Sequence, residues 1–516
     1  MIFGLFRIGG YTMQVNGFKP GSNITIVNTY YKRFKNEAGK MKELLGVIFR
    51  DLDTMQKYKE EILDPEKTFY VVKEDKRVPY NRLFVPETDV YPVTAVNRDV
   101  DLASARAVGL DKWYKDCLYS GNSKEAKMIA MHPDILGSDV NIEDYYRFEF
   151  GKTYQNNTYE PTKSYFDIET DNIDMAGDFP EMGECPINAI SIIIQEAKIV
   201  YSLLLRNNSN PQIAEYEQFI IQDQFAEFKE FLRNHINKGG PGLYEKYKLN
   251  EFDFQALFYD EDNEIGLISD LFKIINTYKP DFALAWNMGF DIPYIIARIK
   301  ALGYDPAEIM CHPHFEYKFA EYFVDEKNRN DYAERGDFAI ISSYSTFIDQ
   351  MIQYASRRKG QSRPLSFSLD YIANIVAGVH KLDYKDITTS ISEFPYKNYK
   401  MFSYYNIIDT IAQYCIEYVV DDVSYIFGKS LMNNTRYSKV HRQTIYLSNR
   451  GRKEFYQDGL IMGNNFNRFN EKPTEKFPGA FVADPSKVSN YSRVKINGRF
   501  VDIFDNLCDF DYCIVA

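Results

Sequence analysis

The stretch SYFDIET, residues 164–170, places two carboxylates two positions apart within an apolar run. Side chains two positions apart on a β-strand share one face, so we expect Asp167 and Glu169 to point the same way, opposite to their apolar neighbours. Two adjacent carboxylates repel each other unless a cation lies between them. Alone, the triplet is weak evidence for a site, because the chain has 73 acidic residues and a similar cluster at 260–264 is typical of a loop.

Residues 161–425 surround this strand with alternating strand-like and helix-like segments. Apolar runs at 188–196 and 199–205 predict two further strands, and amphipathic patterns predict helices around 222–235 and at 270–278. Such alternation is typical of an α/β fold, in which helices flank a central sheet.

A second acidic position lies in FALAWNMGFDIP, residues 282–293. The pattern predicts a buried strand that ends at Asn287 and a helix that begins near Pro293, since proline favours the first helical position. Asp291 then lies at the junction of strand and helix. A helix N-cap is the alternative role for a lone aspartate at such a junction.

A third acidic position lies in YYNIIDT, residues 404–410, within a predicted long helix that ends near Val420. Tyr405 and Asp409 are four residues apart and therefore share one helix face. An aspartate on a largely apolar helix is costly unless it is paired or binds a metal. The alternative is a partly exposed aspartate with a tyrosine packed beside it.

Taken together, the three segments match the needs of two-metal phosphodiester hydrolysis. In that chemistry two divalent ions about 3.5–4 Å apart activate a water and stabilise the leaving oxygen. Oxygen ligands suit Mg²⁺ or Mn²⁺, and the Tyr405 hydroxyl can orient the attacking water. The proposed ligands are the four carboxylates of Asp167, Glu169, Asp291 and Asp409.

Composition excludes several other classes of protein. The net charge of −12 argues against a general nucleic-acid coat protein. No stretch approaches the ~18–20 consecutive apolar residues of a membrane span. The six cysteines are scattered without a C-x-x-C pair, which predicts no zinc ribbon and fits a reducing, cytoplasmic location. The Cys311-His312-Pro313-His314 cluster has no second ligand pair nearby, so a metal site there is disfavoured.

The remaining segments complete the predicted organisation. Residues 1–160 mix strand-like runs with helical patterns at 39–63 and 102–119, which predicts an α+β domain. Residues 315–350 show two β-like runs around a polar centre at 325–330, which predicts a projecting hairpin. The basic stretch at 356–364 is typical of a solvated loop, with a phosphate contact as the alternative.

Two sets of motifs resemble known families. The triplet DIE at 167–169, NMGFD at 287–291 and YNIID at 405–409 resemble the three motifs of the DEDDy 3′–5′ exonucleases. Three further segments are similar, in order, to segments of family B DNA polymerases of the T-even bacteriophage type: LSFSL at 365–369, SYYNIID at 403–409 and FPGAFV at 477–482. That resemblance covers roughly residues 100–516.

The resemblance implies a division of the chain and roles for its site residues. It implies an N-terminal α+β domain, 1–160; an RNase H-like exonuclease domain with a mixed central sheet, 161–425; a helical return segment to the N-terminal domain, 426–472; and the start of a polymerase palm, 473–516. By that comparison the four carboxylates bind metal, Tyr405 positions water, and Asn287 and Phe290 line the single-strand path. The hairpin would part a primer end from its template, a surface hairpin without function being the alternative.

The implied function is the N-terminal portion of a viral family B DNA polymerase with a two-metal proofreading exonuclease that uses Mg²⁺ or Mn²⁺. Single-stranded DNA and primer-template DNA are the implied substrates, a sliding clamp is a further candidate partner, and we expect no membrane partner. Asp511 falls where the family's first polymerase motif has a metal-binding aspartate, but only CIVA follows DFDY. We therefore expect another chain to supply the rest of the palm, the fingers and the thumb.

Two other functions stay open at this point. A stand-alone 3′–5′ exonuclease would have no use for a palm entrance, so the segment FPGAFV and the strand-like DFDY argue against it. A non-catalytic DNA-binding subunit would have no use for the full carboxylate set.

Overall fold

The computed structural model describes residue 15, residues 17–173, 180–360 and 364–464, and the backbone of two strands at 493–496 and 499–502. Contacts divide the chain into two units, Met1–Asn465 and Phe466–Ala516, of which the first carries nearly all described residues. The FPGAFV segment and Asp511 lie outside the described residues. The domain boundaries predicted above stay predictions.

The strands of the described residues are β1 (Ile24–Lys35), β2 (Met41–Asp51), β3 (Lys57–Leu63), β4 (Glu66–Val72), β5 (Phe84–Pro86), β6 (Val90–Val96), β7 (Ile135–Leu136), β8 (Lys163–Thr170), β9 (Ile187–Ile194), β10 (Ile199–Leu205), β11 (Asp253–Tyr259), β12 (Phe282–Ala285), β13 (Ala320–Phe323), β14 (Phe338–Ile341), β15 (Thr346–Asp349), β16 (Leu460–Met462), β17 (Arg493–Ile496) and β18 (Arg499–Asp502).

The α-helices of the described residues are α1 (Val100–Ala107), α2 (Asp111–Tyr119), α3 (Ser123–Ala126), α4 (Ile142–Thr153), α5 (Pro211–Asp223), α6 (Ala226–Asn237), α7 (Leu243–Lys246), α8 (Glu264–Tyr278), α9 (Met288–Ala301), α10 (Pro306–Met310), α11 (Gln350–Arg357), α12 (Leu369–Ala377), α13 (Phe394–Lys397), α14 (Tyr399–Val420), α15 (Asp422–Met432) and α16 (Gln443–Gln457). None of the helices in these described segments is long and apolar enough to cross a membrane.

The N-terminal sheet corrects one sequence prediction. The helix predicted at 39–63 is wrong, because these residues form β2 and β3, which pair with β1 in an antiparallel sheet ordered β1-β2-β3. β2 is the central strand, and its residues 43–50 are buried on both faces. A run buried on both faces has no alternation, so its apolar pattern does not distinguish a strand from a buried helix.

The central sheet confirms the predicted α/β class with a mixed sheet. Its six strands are ordered β11-β10-β9-β8-β12-β15. Strands β8, β9 and β10 pair antiparallel, whereas β12 pairs parallel with both β8 and β15, and β11 pairs parallel with β10. Because β8 and β12 run the same way, the residues that end β8 and those that follow β12 meet at one edge of the sheet.

Two hydrophobic cores cover the two faces of this sheet. Tyr165 and Leu284 belong to the core that α14, α12, α5 and α6 complete. Phe166 and Ala283 belong to the opposite core, which α8 and α9 complete. The alternation along β8 therefore turns Asp167 and Glu169, which share the face of Tyr165, toward α14.

A buried ionic contact joins the N-terminal sheet to the central sheet. The fully buried carboxylate of Asp281, just before β12, lies 2.9 Å from the guanidinium of Arg50 and 2.7 Å from the ammonium of Lys57. Lys57 also donates to the backbone carbonyls of Pro280 and Tyr344. Residues of β2 and β3 thus fix the edge of the sheet that β12 and β15 form.

The hairpin prediction is confirmed, because β13 and β14 pair antiparallel on either side of a long polar loop. The basic stretch that begins at Ser356 is held by the protein itself. Arg357 and Arg358 both contact the carboxylate of Asp422, and Lys359 pairs with Glu334. The predicted solvated loop is therefore only partly right, because Ser356 and Arg357 belong to the end of α11, and residues 361–363 lie outside the described residues.

Candidate metal centre

Strand β8 presents the first two carboxylates at the edge of the sheet. Asp167 and Glu169 lie near the carboxyl end of β8, where they pair with β9 but lie beyond the residues that pair with β12. Both side chains are half-buried. They face the helix α14, as the two-residue spacing predicts.

Helix α14 is fastened to β8 by amide side chains. The Asn406 Nδ2 donates to Asp167 Oδ2 at 3.4 Å, and the Gln413 Nε2 donates to the backbone carbonyl of Phe166 at 3.2 Å. The Ser191 hydroxyl of β9 donates to the carbonyl of Asn406 at 2.7 Å. These contacts fix the rotation of α14, so Asp409, on the next turn after Tyr405, faces β8.

Three of the predicted ligands converge. One carboxylate oxygen from each of Asp167, Glu169 and Asp409 lies within 4.8 Å of the others. In the described segments no other group of three histidine, cysteine or acidic side chains meets this criterion. The Cys311 thiol donates to the carbonyl of Phe319.

The fourth predicted ligand, Asp291, lies beside this group rather than within it. Helix α9 begins at Met288, not near Pro293 as predicted, so Asp291 belongs to the first turn of the helix. Its side chain is buried, 5% exposed. Burial, followed by the carboxylates of Asp167, Asp349 and Glu169, raises the pKa of Asp291 well above its usual range, so Asp291 lies close enough to Asp167 and Glu169 to interact with their charges.

The carboxylates of the group are unfavourable neighbours in the absence of a cation. Burial and the Asp409 carboxylate raise the pKa of Asp167 to about 7. Burial and the carboxylates of Asp167 and Asp409 raise the pKa of Glu169 well above its usual range. Withdrawal of acidic groups from water and mutual repulsion both disfavour the charged forms, and a divalent cation would reverse both effects.

Lys381 is a functional candidate that the sequence analysis missed. Its ammonium pairs with Asp409 Oδ2 and lies 4.8 Å from the centre of the Tyr405 ring. Burial acts to lower the pKa of Lys381, but Asp409, Tyr405 and Asp167 raise it well above the usual range, so this side chain stays charged. It lies in the segment after α12, where no motif or periodic pattern marked it.

The donor set fits divalent metal ions. The Asp409 Oδ1 is buried and has no hydrogen-bond partner among the described residues, while the other oxygen contacts Lys381. An unpartnered carboxylate oxygen within a group of three acidic side chains is suited to a cation. All ligands are hard oxygen atoms, the type that Mg²⁺ and Mn²⁺ prefer.

The two residues predicted to contact a single strand lie at the start of α9, just before Asp291. Asn287 is exposed and precedes α9 without a side-chain cap hydrogen bond. Phe290 is half-buried, with its ring centre 5.3 Å from that of Tyr294. Tyr405 is buried, and burial followed by the Asp409 carboxylate raises its pKa well above the usual range, so its hydroxyl keeps its proton.

Comparison with known proteins gives the family of this site. Residues 131–372 match the family model "DNA polymerase family B, exonuclease domain". This part of the chain is therefore similar to a family B exonuclease domain. The matched range includes Asp167, Glu169 and Asp291, whereas Tyr405 and Asp409 lie beyond it and join the others through the packing of α14 on β8.

The chain is also similar to the DNA-directed DNA polymerase of Escherichia phage RB69. The two are 24% identical over 362 residues, which is 67% of this chain and 36% of the phage protein. The chain thus spans little more than a third of the length of this relative. The predicted resemblance to family B polymerases is confirmed by both comparisons.

Proposed function

We propose that the exonuclease domain is a two-metal 3′–5′ exonuclease that removes nucleotides from the end of a DNA strand, and that the chain is the N-terminal portion of a proofreading family B DNA polymerase. The observation that carries this proposal is the group of oxygens from Asp167, Glu169 and Asp409 within 4.8 Å of one another. It occurs in a chain whose residues 131–372 match the exonuclease domain of that polymerase family.

The carboxylates of Asp167, Glu169, Asp291 and Asp409 would hold two divalent cations, Mg²⁺ or Mn²⁺. When bound, these ions supply a nucleophilic water and stabilise charge on the scissile phosphate. Tyr405 keeps its hydroxyl proton and lies one helical turn from Asp409, so it can orient that water as a hydrogen-bond partner. Lys381 keeps its charge and holds the Asp409 carboxylate in place.

Substrate would enter along the rim of the site. The exposed amide of Asn287 and the partly exposed ring of Phe290 are suited to contact the terminal bases, since aromatic rings stack on bases of any sequence. The β13–β14 hairpin projects beside α9, where it could separate a primer end from its template. Single-stranded DNA is the proposed immediate substrate, and primer-template DNA the proposed wider one.

Polymerisation is proposed to need polypeptide in addition to these 516 residues. The similarity to the RB69 polymerase covers 36% of that protein, which leaves most of it without a counterpart in the matched region. A C-terminal chain with the remaining palm, the fingers and the thumb is the proposed partner, and Asp511 is the proposed metal ligand from this chain. A sliding clamp stays a further candidate partner.

The experiment follows digestion of single-stranded DNA by the purified chain. A 5′-labelled oligonucleotide with Mg²⁺ should give a ladder that shortens from the 3′ end, and EDTA should stop it. The double variant Asp167→Ala, Glu169→Ala removes two ligands and should lower the rate at least a hundredfold, about the loss seen when key electrostatic groups are removed from active sites.

A matched control removes two exposed carboxylates outside the site. Glu261→Ala with Asp262→Ala changes the net charge by the same amount in the loop before α8 and should digest DNA at the wild-type rate. Equal rates for the site variant and the wild type would show that the carboxylate group is not a nuclease site.

A further inference from the structure

The base of the hairpin lies directly against the first turn of α9, two residues before Asp291. Gly289 has no side chain, and a Cβ atom at this position would lie 3.3 Å from Arg335 Nη2, 3.3 Å from the Tyr322 hydroxyl and 3.7 Å from Asp337 Oδ2. Hairpin side chains therefore pack on the backbone of the turn that carries Asp291.

The three hairpin side chains form one buried polar cluster. Arg335 Nη2 lies 2.7 Å from Asp337 Oδ2, and the two side chains are 13% and 0% exposed. Asp337 Oδ1 accepts a hydrogen bond from the backbone N–H of Asp325 at 2.7 Å. The Tyr322 hydroxyl donates to Asp337 Oδ2 at 3.4 Å. The cluster thus links both ends of the hairpin loop to a single carboxylate.

The same turn of α9 is held from the other side by Asp349, the last residue of β15. Its Oδ2 accepts the backbone N–H of Gly289 at 3.3 Å, and its Oδ1 accepts the N–H of Ile352 at 2.9 Å. Burial acts to lower the pKa of Arg335, but the carboxylates of Asp337 and Asp349 raise it above its usual value. The positive charge of Arg335 offsets the negative charges of Asp337 and Asp349, which lie next to this turn.

We propose that Arg335 is a positioning residue for the metal centre: paired with Asp337, it holds the first turn of α9 against β15 and so fixes Asp291 for the more weakly bound of the two cations. This inference rests on the proposed function, which assigns no role to Arg335. Position of the hairpin base and metal affinity are then coupled, since both depend on the same contact at Gly289. Residues that orient metal ligands typically change metal affinity or activity by about 10–100-fold when replaced.

The test measures Mn²⁺ binding to the full chain without DNA, by titration calorimetry. The wild type should bind two Mn²⁺. Arg335→Gln should weaken the second binding event about tenfold or more and leave the first, carried by Asp167, Glu169 and Asp409, unchanged. Arg335→Lys keeps the positive charge but lacks the planar guanidinium. Its affinity for the second Mn²⁺ should therefore lie between that of Arg335→Gln and that of the wild type.

A second variant and a control make the result specific. Gly289→Ala adds one methyl at the contact and should also weaken the second binding event. Arg329→Gln removes a charge from the exposed hairpin tip, where Arg329 pairs with Glu326, and should change neither event. In digestion assays Arg335→Gln should need more Mn²⁺ for half-maximal rate but approach the wild-type rate at saturation.

The outcomes separate this inference from the proposed function. A wild type that digests DNA and binds two Mn²⁺, together with an Arg335→Gln variant that binds both equally well, overturns the positioning role alone. A wild type that neither binds Mn²⁺ nor digests DNA overturns both. If Arg335→Gln fails to fold, Gly289→Ala decides, and unchanged binding of both ions by that variant overturns the inference.

Discussion

Replacement of Lys381 by methionine should destabilise the metal-free protein and have little effect on the metal-bound protein. The ammonium pairs with Asp409, whose side chain is 3% exposed, and it lies over the ring of Tyr405. Methionine keeps an unbranched apolar side chain against that ring and removes only the charge. The Asp409 carboxylate is then buried without a cation unless a metal ion binds.

The expected magnitude follows from the burial of the pair. Removal of one partner from a fully buried ion pair costs about 3–5 kcal/mol, whereas an exposed pair contributes about 0–1 kcal/mol. Because the Lys381 side chain is 26% exposed, we expect a loss of about 2–3 kcal/mol in the free energy of unfolding without metal. With saturating Mn²⁺ the difference should fall below about 1 kcal/mol, since metal binding contributes to the stability of the folded state.

Urea unfolding of the wild type and the variant, each in EDTA and in Mn²⁺, measures both differences. Lys385→Met is the matched control, because Lys385 is an exposed lysine in the same segment, and it should match the wild type in both buffers. An equal loss of stability in EDTA and in Mn²⁺ would refute the reasoning, since Lys381 would then stabilise the fold independently of the metal ligands.

Three other predictions follow from the described contacts. Asp281→Asn leaves the cations of Arg50 and Lys57 without their buried carboxylate and should lower the free energy of unfolding by about 3–5 kcal/mol in urea titrations; wild-type stability would contradict the ion-pair assignment. Tyr405→Phe should bind Mn²⁺ like the wild type but digest single strands at least about tenfold more slowly in single-turnover assays; a wild-type rate would exclude a role in orienting water. Replacement of 327–333 by a short Gly-Ser link, which keeps the hairpin base, should slow digestion of duplex ends much more than of single strands; equal slowing would count against strand separation.

Local spacing was sufficient to predict which carboxylates of the candidate metal centre share a strand face or a helix face. Asp167 and Glu169 share a strand face because side chains alternate, and Tyr405 and Asp409 share a helix face because they are four residues apart. Both expectations hold in the structure, where α14 packs on β8. The alternating strand-like and helix-like segments likewise predicted an α/β fold with a central sheet, whereas the mixed strand directions were implied only by the family resemblance.

Other features depend on packing between distant segments, which no local pattern reveals. Lys381 lies in an irregular segment, and its contact with Asp409 exists only because α12 returns the chain to α14. In the sequence Asp349 is typical of a helix N-cap, and only the folded chain places its carboxylate next to the backbone N–H of Gly289. The apolar pattern at 39–63 favours a helix over strands because burial of β2 on both faces removes the alternation that marks a strand.

A crystal of the chain soaked with Mn²⁺ and a deoxynucleoside monophosphate shows whether these carboxylates form a two-metal nuclease site. Anomalous diffraction at the manganese edge should show two peaks about 3.5–4 Å apart in contact with the carboxylates of Asp167, Glu169 and Asp409, with Asp291 at one of them. Absence of manganese from these side chains, or manganese bound only elsewhere in the chain, would show that these carboxylates do not form a two-metal site.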